Sequence, residues 1–389
     1  MIDISNLRIE EHGEWTRLAA DIESDFERRD RETTVWFAVK KENTDMLTAD
    51  VYNMFLFYPL YMAMYYKSDI HLHGLVSEHL YNNVNTYLQT IMTSFSDDLE
   101  RVKVIVDGFG EAKGGTHHLV GTGLSGGVDC LSTIYTHYEV ETEDASRINA
   151  LFMTNFATDK DAARRELFHA RCKDMRRIAD ALGLPFYEVD TNLDSFLDLG
   201  DRNSYFALYS CAFALEKALS RYYVSSSLSY GEMLRWNSNS RNKDWSEFAD
   251  PYAIPLMESQ NMRLVSDGCQ YTRTEKTELI SDWEIARKYL YVCSGKKSVV
   301  NCCECIKCRR TLLALDAMGK LNEFSSVFDI EKYKRHSFDY KCRLVVANKR
   351  EVFSTDNYQY CVKKGMKLPS WITARLYTLP RAISYRVKK

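Results

Sequence analysis

Two clusters of residues in this chain have the types and spacing to do chemistry. The first is Gly121-Thr122-Gly123-Leu124-Ser125-Gly126-Gly127-Val128-Asp129-Cys130. It follows an apolar run that reads as a strand and precedes a segment that reads as a helix, where free backbone N–H groups and the helix dipole can hold an anion. Gly126 and Gly127 allow close backbone approach and φ values closed to other residues, and Ser125 adds a hydroxyl donor. Gly123, Ser125, Gly126, Gly127, Val128 and Cys130 are thus candidate phosphate-binding residues. Asp129, at the start of the helix, is a candidate to hold a metal ion or to orient the loop.

The second cluster is Cys293, Cys302, Cys305 and Cys308, spaced C-x8-C-x2-C-x2-C. Closely spaced thiolates offer a soft tetrahedral set that suits zinc. Cys303 leaves the register open, although the two x2 spacings favour Cys302; iron–sulfur ligation and free thiols are the competing readings. Four thiolates leave no open coordination position, so a Zn²⁺ here would be structural. Lys307, Arg309 and Arg310 would then offset its negative charge or form a solvated face.

Ser-Gly-Gly-Val-Asp followed by Cys130 resembles the pyrophosphate loop of the PP-loop ATP-pyrophosphatases. No Gly-Lys-Ser/Thr follows, which separates it from the Walker-type loop. Together with the later cysteine spacing, the chain is similar to the 7-cyano-7-deazaguanine synthases over about residues 117 to 316. Asp201-Arg202-Asn203 resembles the Arg-Asn pair of that family, and Arg273-Thr274-Glu275-Lys276 resembles the polar segment before its zinc region.

The resemblance implies an adenine nucleotide alpha hydrolase-like fold binding ATP and Mg²⁺ beside a structural Zn²⁺. It implies Asn155 as a nucleotide contact, Ser125 and Asp129 as loop catalysts, and Arg202 or Lys276 as neutralisers of phosphate charge. The reaction implied is adenylation of a carboxylate or amide oxygen, releasing pyrophosphate, before nitrogen or sulfur displaces AMP. Two departures stand out. Cys130 replaces the family's serine, read either as a near-isosteric swap covered by Ser132 or Thr133, or as a thiol made acidic by the helix. The family's Tyr-Pro-Asp-Cys stretch is also missing around Ser225 to Glu232.

A sulfur route would need a persulfide carrier, for which Cys130, Cys211 and Cys269 are the spare thiols. A nitrogen route would take free ammonia or ammonia delivered by a partner protein. The expected substrate is a small molecule, a peptide or a nucleobase-type compound, and a homodimer is among the assemblies admitted. A rival reading is a nucleic-acid modifier gripping phosphates through Lys363, Lys364, Lys367, Arg375, Arg381, Arg386, Lys388 and Lys389, with Tyr360, Trp371 and Tyr377 as stacking candidates. A third is a non-catalytic nucleotide-binding subunit.

The elements that must position these groups read as an α/β protein. Short apolar runs at His118 to Leu124, Ala150 to Thr154, Phe186 to Val189 and Tyr222 to Ser225 alternate with helix candidates at Asp129 to Tyr138, Asp161 to Leu182 and Tyr205 to Ser220. Such alternation predicts a parallel sheet with helices on both faces. Before it, strands at Thr33 to Val39 and Arg101 to Val106 and helices at Met46 to Tyr66 and Ser77 to Thr93 predict a small α+β domain. The boundaries expected are 1–115, 116–235, 236–320 for the zinc segment with a helix at Arg309 to Met318, and 321–389 for a helical tail. From Lys341 that tail carries twelve Lys/Arg against Glu351 and Asp356.

With 389 residues and 45% hydrophobic content the chain can bury a full core. A formal charge of −3 gives no global pull towards nucleic acid or an anionic membrane. The opening MIDISNLRIEEHGEWTRL lacks an apolar signal-like core, so a cytoplasmic protein is expected. Met46 to Tyr66 contains Asp50, Asn53 and Pro59 and is expected to be a kinked, buried amphipathic helix rather than a membrane span. His71 with His73, and His117 with His118, receive no ligand role.

Overall fold

The structure, a computed structural model, describes residues 1–25, 32–115, 117–155, 162–197, 199, 202–236, 249–294 and 300–387. Asp201, most of the polar stretch after Asn237, and Lys388 and Lys389 lie outside the described residues, as do the side chains of Arg381 and Arg386. The chain divides into two compact units. One comprises 1–124, 137–226 and 237–267, and the other 125–136, 227–236 and 268–389.

The first unit is built on one sheet, in which ten strands are found among the described residues. They are β1 (Ile2–His12), β2 (Trp15–Ser24), β3 (Thr34–Lys40), β4 (Ile70–Val76), β5 (Val104–Phe109), β6 (Leu119–Gly123), β7 (Ala150–Thr154), β8 (Phe186–Thr191), β9 (Leu219–Ser225) and β10 (Arg263–Asp267). Their order is β10-β9-β6-β7-β8-β3-β2-β1-β4-β5. From β10 to β8 all neighbours are parallel. Counted from β6, this half therefore runs third, second, first, fourth, fifth, the doubly wound order whose direction reverses between its first and fourth strands.

The helix Ala162–Leu182 joins β7 to β8, and Ser204–Phe213 lies on the return from β8 to β9. The two connections travel in opposite directions across the sheet, so right-handed crossovers place these helices on opposite faces. The expected α/β architecture is present. The sheet as a whole is mixed, because β3 pairs antiparallel with both β8 and β2, and β2 antiparallel with β1, before β4 and β5 return to parallel pairing.

That pairing changes the reading of the first 115 residues. Their five strands extend the same sheet, and one buried cluster runs from Ile2 and Phe37 through Phe57 to Phe152, Phe206 and Phe213. The Phe57 and Phe213 rings lie 4.6 Å apart. Each such side chain contributes roughly 1.5–3 kcal/mol by burial, so the early strands share their hydrophobic interior with the parallel half.

Met46 to Tyr66 differs from its expected amphipathic helix. The chain forms 3-10 turns at Lys41–Met46 and Asn53–Leu56 and a helix only at Tyr58–Tyr66. Pro59 sits in the first turn of that helix, where its missing N–H costs nothing. Val51 through Met64 are buried on every side. No helix among the described residues is long and apolar enough to cross a membrane.

Asn53, polar and fully buried here, donates to both carboxyl oxygens of Glu216 at 2.9 and 3.2 Å and accepts from the Ser77 N–H at 2.8 Å. Burial pushes the Glu216 carboxyl up to about 8, against hydrogen bonds from Asn53 and Ser259 that lower it. A carboxyl whose folded pKa exceeds its unfolded value of about 4.3 costs stability as pH rises, and the cost is complete near pH 8. Glu216→Gln is therefore expected to be more stable than the native chain by on the order of 3 kcal/mol at pH 8, with little advantage at pH 4. Denaturant unfolding at the two pH values measures this; an equal difference at both would contradict it.

The second unit is helical, with Val128–Ile134, Tyr230–Trp236, Arg273–Leu279, Glu284–Tyr289, Ile306–Met318, Ile330–Ala347, Val352–Lys363 and Trp371–Val387. Local sequence starts several of these. Thr272 and Glu275 form a capping box on Arg273–Leu279, the Asp329 side chain accepts from the Lys332 N–H, and Glu351 accepts from those of Phe353 and Ser354.

The expected basic tail is built into this unit. Cys342, Val345 and Ala374 form a small apolar cluster, and the Asp356 carboxylate accepts from the Thr274 hydroxyl at 2.6 Å. Tyr360 is buried and Tyr377 packs edge-on against Phe338, which leaves Trp371 as the exposed stacking candidate.

Candidate functional site

The chain leaves β6 at Gly123 and turns at Ser125, Gly126 and Gly127. Gly126 has φ +72°, in the left-handed region where a side chain is strained. Gly127 caps the following helix with extended backbone and no side-chain hydrogen bond, so no capping side chain is drawn onto the first amides. Ser125 Oγ accepts from the Gly127 N–H at 3.4 Å and donates to Cys130 Sγ at 3.4 Å, while that thiol donates to the Gly127 carbonyl.

Cys130 does not match the acidic-thiol reading. It is buried, and burial drives its pKa above the ordinary thiol value despite hydrogen bonds from Ser125 and Gly126 that lower it. The Ser132 hydroxyl donates to the Asp129 carbonyl at 2.8 Å.

Asp129 is held by cations. Arg273 approaches it with Nη2 at 2.6 Å and Nε at 3.2 Å, and Lys276 Nζ lies at 3.8 Å. Arg273 and Lys276 are three residues apart and share a helix face. Lys276 is completely buried, and Gly268 makes room for it, since a Cβ there would meet Lys276 Cε at 2.9 Å. Arg273 and Arg310 both stack on Phe353, at 4.3 and 5.0 Å.

Burial would raise the Asp129 carboxyl, but the charges of Arg273, Lys276 and Lys307 hold it below the usual value. A lowered folded pKa stabilises above the unfolded value of about 3.9 and is lost as pH falls through the folded one. Asp129→Asn should therefore destabilise the protein by about 2–3 kcal/mol at neutral pH, at or below the lower end of the range for a broken buried pair because both side chains are about one-fifth exposed. Chemical denaturation at pH 7 and pH 3 checks this, with the difference expected to shrink at the lower pH.

The four cysteines converge. Their sulfurs all lie within 4.8 Å of one another, with Cys302 to Cys308 at 3.9 Å and Cys293 to Cys305 at 4.0 Å. A tetrahedron of Zn–S bonds of about 2.3 Å has edges of about 3.8 Å. Backbone amides support the sulfurs: Cys302 Sγ accepts from the N–H groups of Cys305 and Glu304, and Cys305 Sγ from that of Cys308. Cys303, at φ +61°, turns away and accepts from the Asp329 N–H at 3.3 Å, which settles the register.

Burial opposes ionisation of Cys305, yet hydrogen bonds from Ser294 and Cys308 bring it down to about 6. Burial and the charges of Cys305 and Cys302 push Cys308 up. Thiols this close cannot all ionise without a cation among them, and the cluster can bind a metal such as zinc. Of the basic neighbours, Arg310 pairs with Glu351 at 3.0 Å and Arg309 lies over the Tyr340 ring.

The loop and the cysteines are physically joined. The Tyr291 N–H donates to the Gly126 carbonyl at 2.8 Å, two residues before Cys293. Asn301, beside Cys302, accepts from the Val292 N–H at 2.9 Å and donates to the Leu290 carbonyl at 2.8 Å, so it grips the chain on either side of Tyr291. Sequence reasoning missed both residues. The Tyr291 contact is made by backbone and has no side-chain signature, whereas an asparagine next to a ligand cysteine was a readable cue.

Arg202, Asn155 and Cys211 lie in the first unit. Arg202 pairs with Asp98 at 2.6 Å. Asn155 follows β7, is buried, and donates to Asp190 at 2.8 Å. Cys211 is a core thiol raised well above its ordinary value by burial, and Cys269, in the second unit, is buried as well. Comparison of the chain with the profiles of known protein families, with curated proteins and with solved structures finds no match.

Proposed function

We propose that this chain is an ATP-pyrophosphatase of the PP-loop type, with an adenine nucleotide alpha hydrolase-like parallel half-sheet, that activates a substrate oxygen as an adenylate. The observation that carries the reading is the Ser125-Gly126-Gly127 turn, with Gly126 left-handed, leaving the first strand of a third-second-first-fourth-fifth parallel order. Ligands of such sheets bind beyond the strand ends at the reversal point, and that strand is β6.

In this reading the turn amides and the Ser125 hydroxyl hold the β- and γ-phosphates, with Mg²⁺ accompanying the nucleotide. Asp129, already engaged by Arg273 and Lys276, orients these cations rather than binding the metal ion. Charge neutralisation and alignment of a carboxylate or amide oxygen on the α-phosphorus supply most of the rate. The bond from the α-phosphorus to the bridging oxygen breaks, pyrophosphate leaves with the electron pair, and the substrate oxygen carries AMP until a nucleophile displaces it.

The buried states of Cys130 and Cys211 favour ammonia over a persulfide as that nucleophile, because a sulfur carrier must be accessible and ionisable. The substrate class is therefore an organic acid or amide converted to a C–N product. The test is incubation of the zinc-loaded chain with ATP, Mg²⁺, ammonium and a panel of carboxylic acids. AMP and pyrophosphate in equal amounts are expected; ADP and phosphate as the main products would refute the assignment.

A further inference from the structure

We propose that Asp3, His71 and His73 form a second metal site, on the first unit, for a divalent transition-metal ion such as zinc or nickel. Asp3 on β1 stands opposite His71 on β4 in parallel register. His71 and His73 are two residues apart on one strand and so share a face; their rings lie 3.8 Å apart. The alternate residues Ile2, Ile4, Ile70 and Leu72 are fully buried, so the donors are carried on strands anchored by the core.

The donor atoms converge. His73 Nε2 is 3.1 Å and His71 Nδ1 3.8 Å from the same oxygen, Asp3 Oδ1, and one ligand atom from each residue fits within 4.8 Å of the others. The second nitrogen of His71 is also engaged: Nε2 lies 3.0 Å from Asp107 Oδ1 on β5. A neutral imidazole that donates there presents its Nδ1 lone pair towards Asp3, acceptor facing acceptor. A cation between them turns that repulsion into ligation, and a carboxylate on the far ring nitrogen is the usual partner of a metal-bound histidine.

Two imidazoles and one carboxylate select borderline transition metals over Mg²⁺ or Ca²⁺, which take oxygen ligands. Three protein ligands also leave coordination positions for water or a small anion, unlike the closed tetrathiolate. The side chains are partly exposed, at 21%, 38% and 33% for His71, His73 and Asp3, so the ion has a path in.

The test uses the untagged full chain with its cysteine cluster already filled with zinc, titrated calorimetrically with Zn²⁺, Ni²⁺ and Mg²⁺. A further equivalent of Zn²⁺ or Ni²⁺ binding in the micromolar range is expected, with no Mg²⁺ uptake. His73→Ala and His71→Ala should each weaken it at least tenfold, and Asp107→Asn by about 10- to 100-fold, all without change in the thermal melting of the chain that carries zinc at the cysteines alone. Absence of the additional equivalent, equal uptake of Mg²⁺, or undiminished binding by the His71→Ala/His73→Ala double variant would overturn the assignment.

Discussion

Replacing Gly126 with valine is expected to lower ATP-dependent pyrophosphate release by about 10²–10³-fold, the scale set by losing a preorganised donor to a developing anion. At φ +72° a β-branched residue is disfavoured, and relaxing that strain swings the Ser125 hydroxyl and the Gly127 amide out of line. The strain itself costs about 1–3 kcal/mol, which lies below the roughly 5–15 kcal/mol stability of native proteins. Circular dichroism and thermal melting should thus show a folded variant while AMP formation collapses. A folded Gly126→Val chain with native turnover would mean that the turn does not hold the nucleotide.

Removing the metal should have an effect of similar size by another route. Cys308→Ser takes one ligand from the set of four thiolates and prolonged chelation of the native chain takes the ion itself; metal binding at such sites is itself folding free energy, about 10–16 kcal/mol for zinc-finger peptides near neutral pH. The segment around Tyr291 then loses its anchor, and with it the amide that holds the Gly126 carbonyl. The equivalent of zinc held by the cysteines should be lost, the second unit should melt well below the native temperature, and pyrophosphate release should disappear. Re-addition of Zn²⁺ should restore the chelated native chain but not the variant. Full activity in a chain stripped of zinc would separate the cysteines from the loop.

The sequence made some of this architecture readable and hid the rest for identifiable reasons. β6, β7, β8 and β9 were legible to within a few residues because each is an apolar run bounded by helical segments, as buried parallel strands must be. β10, only Arg263–Asp267 with charged ends, lacks such a run. β1 begins with clean alternation at Ile2 and Ile4, but Asn6 takes φ +56° and the pairing register shifts between Ser5 and Arg8, so the period breaks inside the strand. The fully buried stretch around Phe57 carries no periodicity.

The candidate site divides the same way. The cysteine spacing and the glycine turn were visible because metal and phosphate chemistry constrain adjacent residues. Arg273 was in view as part of a polar segment, yet its pairing with Asp129, 144 positions earlier, is a product of folding that local pattern does not encode. His71 and His73 carry no local ligand signal, because their partners Asp3 and Asp107 are distant in sequence and meet them across neighbouring strands.

The junction between β3 and β8 has a consequence for how this molecule can be divided. Among the described residues Phe37 pairs with Thr191 and Ala38 with Asp190 there, and Asn192 and Thr191 reinforce the join by bonding to the backbone of Thr34 and Trp36. A fragment starting after residue 115 would leave β8 as a naked border strand with unmatched amides, beside apolar side chains stripped of their cover. Such a border recruits strands from other molecules, so the amino-terminal third acts as a built-in guard against self-association of the half-sheet it completes.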